Sequence, residues 1–254
     1  MYGGAVLKDI SYAALMASFL FMTIPFWLSY KQKLGISKEM IIASLRAFIQ
    51  LTIIGYIITF VFSIETSALF LAIIFVMIIV AARTSAKRGS EFRYSFWIAL
   101  AALLTAELIS IVIWVTFDIV EFKAQYILPM SGMIIGSSMV AVSLVFDRLK
   151  REFDLTKELI MGKLALGATP RQASQELIEA TVKAALIPSM EGMKTIGLVQ
   201  LPGMMTGAII AGAPPVTAVK YQLVIALTTF GNTAITAMIV SFLTYPCFYR
   251  QKMF

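Results

Sequence analysis

The chain has 254 residues, of which 59% are hydrophobic and only 14% charged, with a formal net charge of +7 and a mean hydropathy of +0.87. A soluble fold of that size has too little interior to bury so much apolar surface, whereas a membrane protein uses lipid as the solvent for its outer face. One cysteine, Cys247, and the absence of histidine exclude an internal disulfide, the common zinc sites and a His-dependent catalytic triad. The composition therefore reads as an all-α integral membrane protein and not as an enzyme.

A span needs about 20 mainly apolar residues to cross roughly 30 Å of hydrocarbon. In chain order, seven stretches meet or approach that: 10–30, 41–62, 66–82, 94–117, 127–146, 195–212 and 217–245. The first is expected to stay in the protein and not be cleaved as a signal peptide, because Lys31 and Lys33 follow it where a small-residue cleavage site belongs. The sixth is the shortest, about 27 Å of helix at 1.5 Å per residue, and it is interrupted by Gly197, Pro202, Gly203, Gly207 and Gly212.

The bases sort by side. Seventeen of the 21 lie in 31–40, 83–93, 147–194 and the C-terminal tail; Lys8, Lys123 and Lys220 lie on the other side, and Arg46 is inside a span. By the positive-inside rule this favours seven spans with the N-terminus out and the C-terminus in. A six-span arrangement with 195–212 re-entrant is the alternative, and it puts the tail's bases outside. The positive charge is thus a membrane-orientation signature, and no nucleic-acid partner is expected.

Residues 147–194 form the one long connection. Asp147–Leu166 reads as an amphipathic helix with apolar Leu149, Phe153, Leu155, Leu159 and Ile160, whose first half extends the fifth span as one rod. Gly167 supplies a helix end able to adopt positive φ. Thr169-Pro170-Arg171-Gln172 then reads as a helix start, with Thr at the N-cap, Pro at N1 and Gln in capping-box position. The second helix is expected to run to about Ile187 and stop at Pro188. The resulting helix–corner–helix is either an ordinary surface hairpin or a docking elbow for a cytosolic partner.

Two charges sit within spans, Arg46 and Glu107, and intramembrane charges tend to face a bundle interior or wet cavity. They read as a mutual ion pair, or Arg46 snorkels and Glu107 serves as a cation site or stays protonated. The sequences GMIIG at 132–136 and GMMTG at 203–207, each closely preceded by proline, read either as helix-packing glycines or as the broken helices of a translocation pathway. Methionine is abundant, at 15 residues, and Met130, Met133, Met139, Met204 and Met205 cluster at these interruptions. Thioethers suit copper(I) better than iron and also serve as flexible packing.

The runs GKLALGATPRQASQELIEATVKAALIP at 162–188 and KTIGLVQLPGMMTGAIIAGAPPVTAVKYQ at 194–222, with Ile49–Tyr56 and GMIIG, resemble the iron-export type of ABC transporter permease, a family that includes plant aluminium-tolerance permeases. The resemblance covers about Arg46 to Tyr249; LPGMMTG at 201–207 is its most specific stretch. Ser137 stands where the family pattern has Asn, and Glu191 where Asp is expected.

The resemblance implies a single permease domain over 1–254 in the cell (plasma or inner) membrane, containing a cytosolic coupling segment at 147–194. It implies assembly as a homodimer with a cytosolic ATP-binding subunit, and export of iron or an iron complex. ATP and Mg²⁺ then belong to that partner, and this chain carries no cofactor, in keeping with the absence of a G-x-x-x-x-G-K-[ST] phosphate loop. The coupling surface is Glu158, Leu166, Gly167, Ala168, Thr169, Pro170 and Arg171. The pathway candidates are Arg46, Gln50, Glu107, Met133, Ser137, Met204 and Met205, with Glu107 the metal candidate. Two other transport readings stay open: a proton-coupled secondary transporter using Glu107, and an ABC permease for an organic cargo such as a nucleotide sugar. A membrane scaffold without transport is a third.

Overall fold

The computed structural model describes residues 10–62 and 66–251, and apart from one isolated bridge between Ile196 and Gln200 its regular structure there is helical. It divides into two compact units, residues 1–65 and 66–254.

In the first unit, the span expected at 10–30 is present as a candidate span over 13–31, built of α1 (Tyr12–Ala17) and α2 (Leu20–Lys31). The break falls at Ser18–Phe19, where the Ser18 hydroxyl donates to the Leu15 carbonyl. A tight turn follows, with positive φ at Lys33 and Gly35, and delivers the chain into α3 (Ser37–Phe62). Ser29 and Ser37 hydroxyls bond at 2.8 Å across that turn, and Phe19 meets Phe48 edge-on with ring centres 5.8 Å apart.

The second unit begins with α4 (Ser67–Ala86), α5 (Ser95–Thr116) and α6 (Ala124–Ala165). At 42 residues α6 is about 63 Å long, so the fifth span and the amphipathic helix after it are one rod, as expected. α5 buries Ser95, Ala99, Ala102, Ala106 and Ser110, small side chains three or four apart that let neighbouring helices approach closely. Gly132 of α6 plays that part against α4, since a Cβ there would stand 3.2 Å from Met77 Cε; at Gly136, Gly203 and Gly207 a Cβ would meet nothing. The packing reading of the G-M-x-x-G pair therefore holds at one glycine of the four.

Beyond α6 come α7 (Pro170–Ala173), α8 (Gln175–Thr195), α9 (Gly203–Ile210) and α10 (Pro215–Gln251). Pro188 does not stop the second cytosolic helix; it lies inside α8, which continues to Thr195. Proline removes one backbone donor, and one lost bond is tolerable in a helix packed along two neighbours. α8 lies against both α6 and α10.

Six helices among the described residues are long and apolar enough to cross a membrane: 13–31, 37–58, 67–86, 95–116, 124–165 and 215–249. The expected sixth of seven spans, 195–212, is not a continuous helix. Gly197 takes φ +82°, its N–H bonds to the Gln200 carbonyl, and helix resumes only as the eight residues of α9, about 12 Å.

Contacts sort the second unit into two ends. At one, Phe248 of α10 stacks on Phe153 of α6, Phe92 packs on Phe146 and Phe248, and Lys150 pairs with Glu91. At the other, Tyr126 near the start of α6 stacks on Tyr221 near the start of α10. The chain leaves α6 at the Phe248 end and enters α10 at the Tyr221 end, so α8, the 196–202 turn and α9 together carry it back along the bundle.

Candidate functional site

Three features of the second unit carry chemistry: a rigid corner, a buried carboxyl and a cleft.

The corner spans Leu166–Ser174. Gly167 has φ +90°, and its N–H and that of Ala168 bond to the Leu164 and Lys163 carbonyls, closing α6. This is the left-handed position for which glycine is the natural residue. The Thr169 hydroxyl accepts from the Gln172 N–H at 3.3 Å, and the Gln172 side chain accepts from the Thr169 N–H at 2.9 Å. The expected capping box is therefore formed in both directions. The helix it starts is shorter than expected, since α7 ends at Ala173 and a separate helix, α8, begins at Gln175 after Ser174.

The corner is anchored from behind. Tyr249 of α10 donates its hydroxyl to the Pro170 carbonyl at 2.9 Å, and the hydroxyls of Tyr249 and Ser174 bond at 2.5 Å. Lys163 pairs with Glu176 at 3.0 Å across the bend. At its tip Leu166 is 91% exposed, an apolar side chain held outward by a fixed backbone. The coupling candidates Leu166, Gly167, Ala168, Thr169, Pro170 and Arg171 thus form one structural feature, and Glu158 lies two turns earlier on α6. Arg171 stands over the Phe242 ring at 6.0 Å and lines a recess of about 390 Å³ between α8 and α10.

Glu107 is 2% exposed in α5, and neither carboxyl oxygen has a hydrogen-bond or ion-pair partner among the described residues. The Ser131 hydroxyl of α6 stands beside it, close enough to interact but outside hydrogen-bonding geometry. One turn on, the Ser110 hydroxyl donates to Asn232 Oδ1 at 3.0 Å, and Trp114 Nε1 donates to Thr228 Oγ1 at 3.3 Å. Glu107 therefore faces a polar seam between α5, α6 and α10. Arg46 and Gln50 lie on α3 of the first unit. Among the described residues no three acidic or cysteine side chains gather in a way that could hold a metal ion.

The cleft, about 490 Å³, lies between α6, α8, α10 and the 196–202 turn. Of the pathway candidates in this unit, Met133 and Ser137 line it; Glu107, Met204 and Met205 do not. Of the second G-M-x-x-G stretch only the preceding Pro202 reaches it. Residues that sequence reasoning passed over complete the wall, among them Ser189, Gly192 and Met193 of α8 and Gln222, Thr229 and Phe230 of α10. Pro188 and Gly192, a proline and a glycine within the continuous α8, were the visible signal for them.

Comparison with known proteins gives the chain a family of membrane proteins. Residues 12–249 match the family described as an uncharacterised protein family, UPF0014. The chain is 43% identical over 237 residues to the UPF0014 membrane protein YjkA of Bacillus subtilis, covering 93% of this chain and 95% of that protein. It is 34% identical over 244 residues to a protein named "Probable iron export permease protein FetB" of Escherichia coli, covering 96% and 94%. The Arabidopsis thaliana protein ALUMINUM SENSITIVE 3 is 31% identical over 224 residues, covering 88% of this chain and 82% of the plant protein. No solved structure matches the chain. The chain is a multi-pass membrane protein of the UPF0014 family, akin to the FetB-like iron export permease and its plant homologues.

Proposed function

We propose that this chain is the membrane permease subunit of an ABC exporter that moves iron, as the ion or a complex, outward across the cell membrane. A separate cytosolic subunit binds ATP and Mg²⁺ and drives transport through the 166–171 corner; two permease chains assemble around the pathway. The observation that carries this reading is the corner itself, an exposed apolar tip on a backbone fixed by a capping box and tied to the last helix through Tyr249. A hairpin resting on a membrane has no need of such an anchor, whereas a part that must transmit displacement does.

The seven-crossing, N-out/C-in arrangement belongs to the same proposal. Lys87, Arg88, Lys150, Arg171 and the Tyr249 end of α10 lie together, while Lys123 and Lys220 lie at the Tyr221 end. Between Lys123 and Asp147 α6 carries no charge, and α10 carries none between Lys220 and Arg250. Those two uncharged lengths support this placement of the membrane, and in the proposal the segment 195–212 with the end of α8 contributes the extra crossing.

The test is to co-purify the full chain with its candidate ATP-binding subunit, using Leu166→Asp as the variant. Leu166 is exposed, so the change leaves the fold alone; it should abolish capture and ATPase stimulation together. Capture indifferent to Leu166→Asp and to Gly167→Trp would refute the docking role. The proton-coupled reading is favoured by one observation, the buried and unpartnered Glu107. It requires transport that persists without any ATPase and collapses in Glu107→Gln.

A further inference from the structure

We infer that the 490 Å³ cleft receives its cargo as an organic-coated, charge-compensated metal chelate and does not take a bare metal cation. This rests on the exporter reading for the cargo's metal and adds the form in which it is bound. The size of the cleft is within the roughly 300–1,000 Å³ typical of organic-ligand pockets, far more than a dehydrated ion fills.

The lining chemistry points the same way. Among the described residues, no Asp, Glu, Lys or Arg lines the cleft. Its polar groups are neutral hydroxyls and amides, from Ser137, Ser189, Gln200, Gln222 and Thr229, set among thioether and aromatic surfaces. Divalent iron, stripped of water, asks for anionic or imidazole ligands to offset its desolvation. Glu191 and Lys194, on the same stretch of α8, pair with each other at 2.7 Å and lie outside the lining. Glu107 is likewise outside it.

A chelate brings its own ligands, so its charge is already compensated, and it presents hydrogen-bonding edges and carbon surface. Those are what the wall matches. The Gln222 Oε1 atom is buried without a hydrogen-bond partner, an acceptor that a ligand donor would satisfy. The cleft also sits at membrane depth: Met133 to Val140 lie 9 to 16 residues into α6, about 14 to 24 Å from its start. Transporter sites near the bilayer midplane, beside a broken helix, are a recurrent arrangement.

The experiment measures equilibrium binding to the full chain in lipid nanodiscs, without any ATPase. The probes are ferrous ion alone, iron(III) tris(acetohydroxamate), which is a neutral chelate, and metal-free acetohydroxamate. The blocking variant is Gly192→Leu, because Gly192 lines the cleft and a Cβ there meets nothing within 4 Å.

The expected result is saturable chelate binding, weakened at least about tenfold in Gly192→Leu, with ferrous ion alone bound far more weakly. Ferrous ion bound as tightly as the chelate and lost in Glu191→Gln or Glu107→Gln would overturn the inference. So would chelate binding that ignores Gly192→Leu while circular dichroism shows the variant folded, or failure of any probe to bind. Metal-free hydroxamate competing on equal terms would also count against it, showing an organic ligand selected without metal. Because no nucleotide or second subunit enters, loss of ATPase capture would defeat the exporter reading and leave this result standing.

Discussion

Tyr249→Phe removes one oxygen atom and tests whether the corner is mechanically tied to the last helix. The hydroxyl donates to the Pro170 carbonyl and accepts from Ser174, whose own side chain is only 3% exposed. The ring stays, so its packing stays. Each net hydrogen bond contributes about 0.5–1.5 kcal/mol, and a buried hydroxyl left without a partner costs about 1–3 kcal/mol. The attachment of corner to α10 should therefore weaken by about 1–3 kcal/mol, equivalent to roughly a 5- to 150-fold change in an opening equilibrium.

Hydrogen exchange of the 166–176 amides in the reconstituted permease reads that change directly. Exchange there should accelerate within this range while the α5–α6 amides keep their protection. In complex with the ATP-binding subunit, the variant should hydrolyse ATP yet transport less per ATP. Ser174→Ala, which keeps the Pro170 bond, should give a smaller effect on both. If corner exchange is unchanged in Tyr249→Phe, or if hydrolysis and transport fall in step, the tether reasoning fails.

Gly89→Ala should destabilise the second unit by about 1–3 kcal/mol, because the new Cβ would lie 2.7 Å from the ring of Phe146, which has no exposed surface into which to swing. Gly136→Ala, in open space on α6, should instead be neutral or stabilising by up to about 1 kcal/mol; thermal melts of the two in detergent should move apart. Thr169→Val removes the capping oxygen and should cost the corner about 0.5–2 kcal/mol, visible as faster amide exchange at Arg171–Ala173 with the bundle unaffected. Glu107→Gln keeps the shape of a side chain outside the cleft, so ATP-driven transport should persist; its loss would favour proton coupling.

What was legible depended on range. The corner could be read residue by residue, because a left-handed glycine and a capping box are contacts among neighbours in sequence. The 42-residue rod was legible because periodicity continues across the point where apolar character gives way to charge. Tyr249 could not be found, since its partners are 75 and 79 residues away and helix rotation is not written in composition. The two G-M-x-x-G stretches look alike, yet one faces the cleft through Met133 and the other reaches it only at Pro202, because one lies within a long helix and the other opens a short one.

On the proposed seven-crossing topology, the segment 195–212 contributes to a crossing that a search for continuous helical spans does not find. Such a search assumes that backbone polar groups are satisfied within one apolar helix, as lipid demands. Here helix ends at Thr195, Gly197 takes a conformation natural to glycine, and helix restarts after Pro202. Broken backbone at membrane depth is stable only where protein or a cavity, and not lipid, faces it. Ile196, Gln200 and Pro202 do line the cleft, together with Pro188 and Gly192 from the last turns of α8. The break and the cleft are thus one feature: the residues that spoil the span are the residues that leave room for a ligand. Restoring a continuous apolar helix there would give a better span and a poorer site.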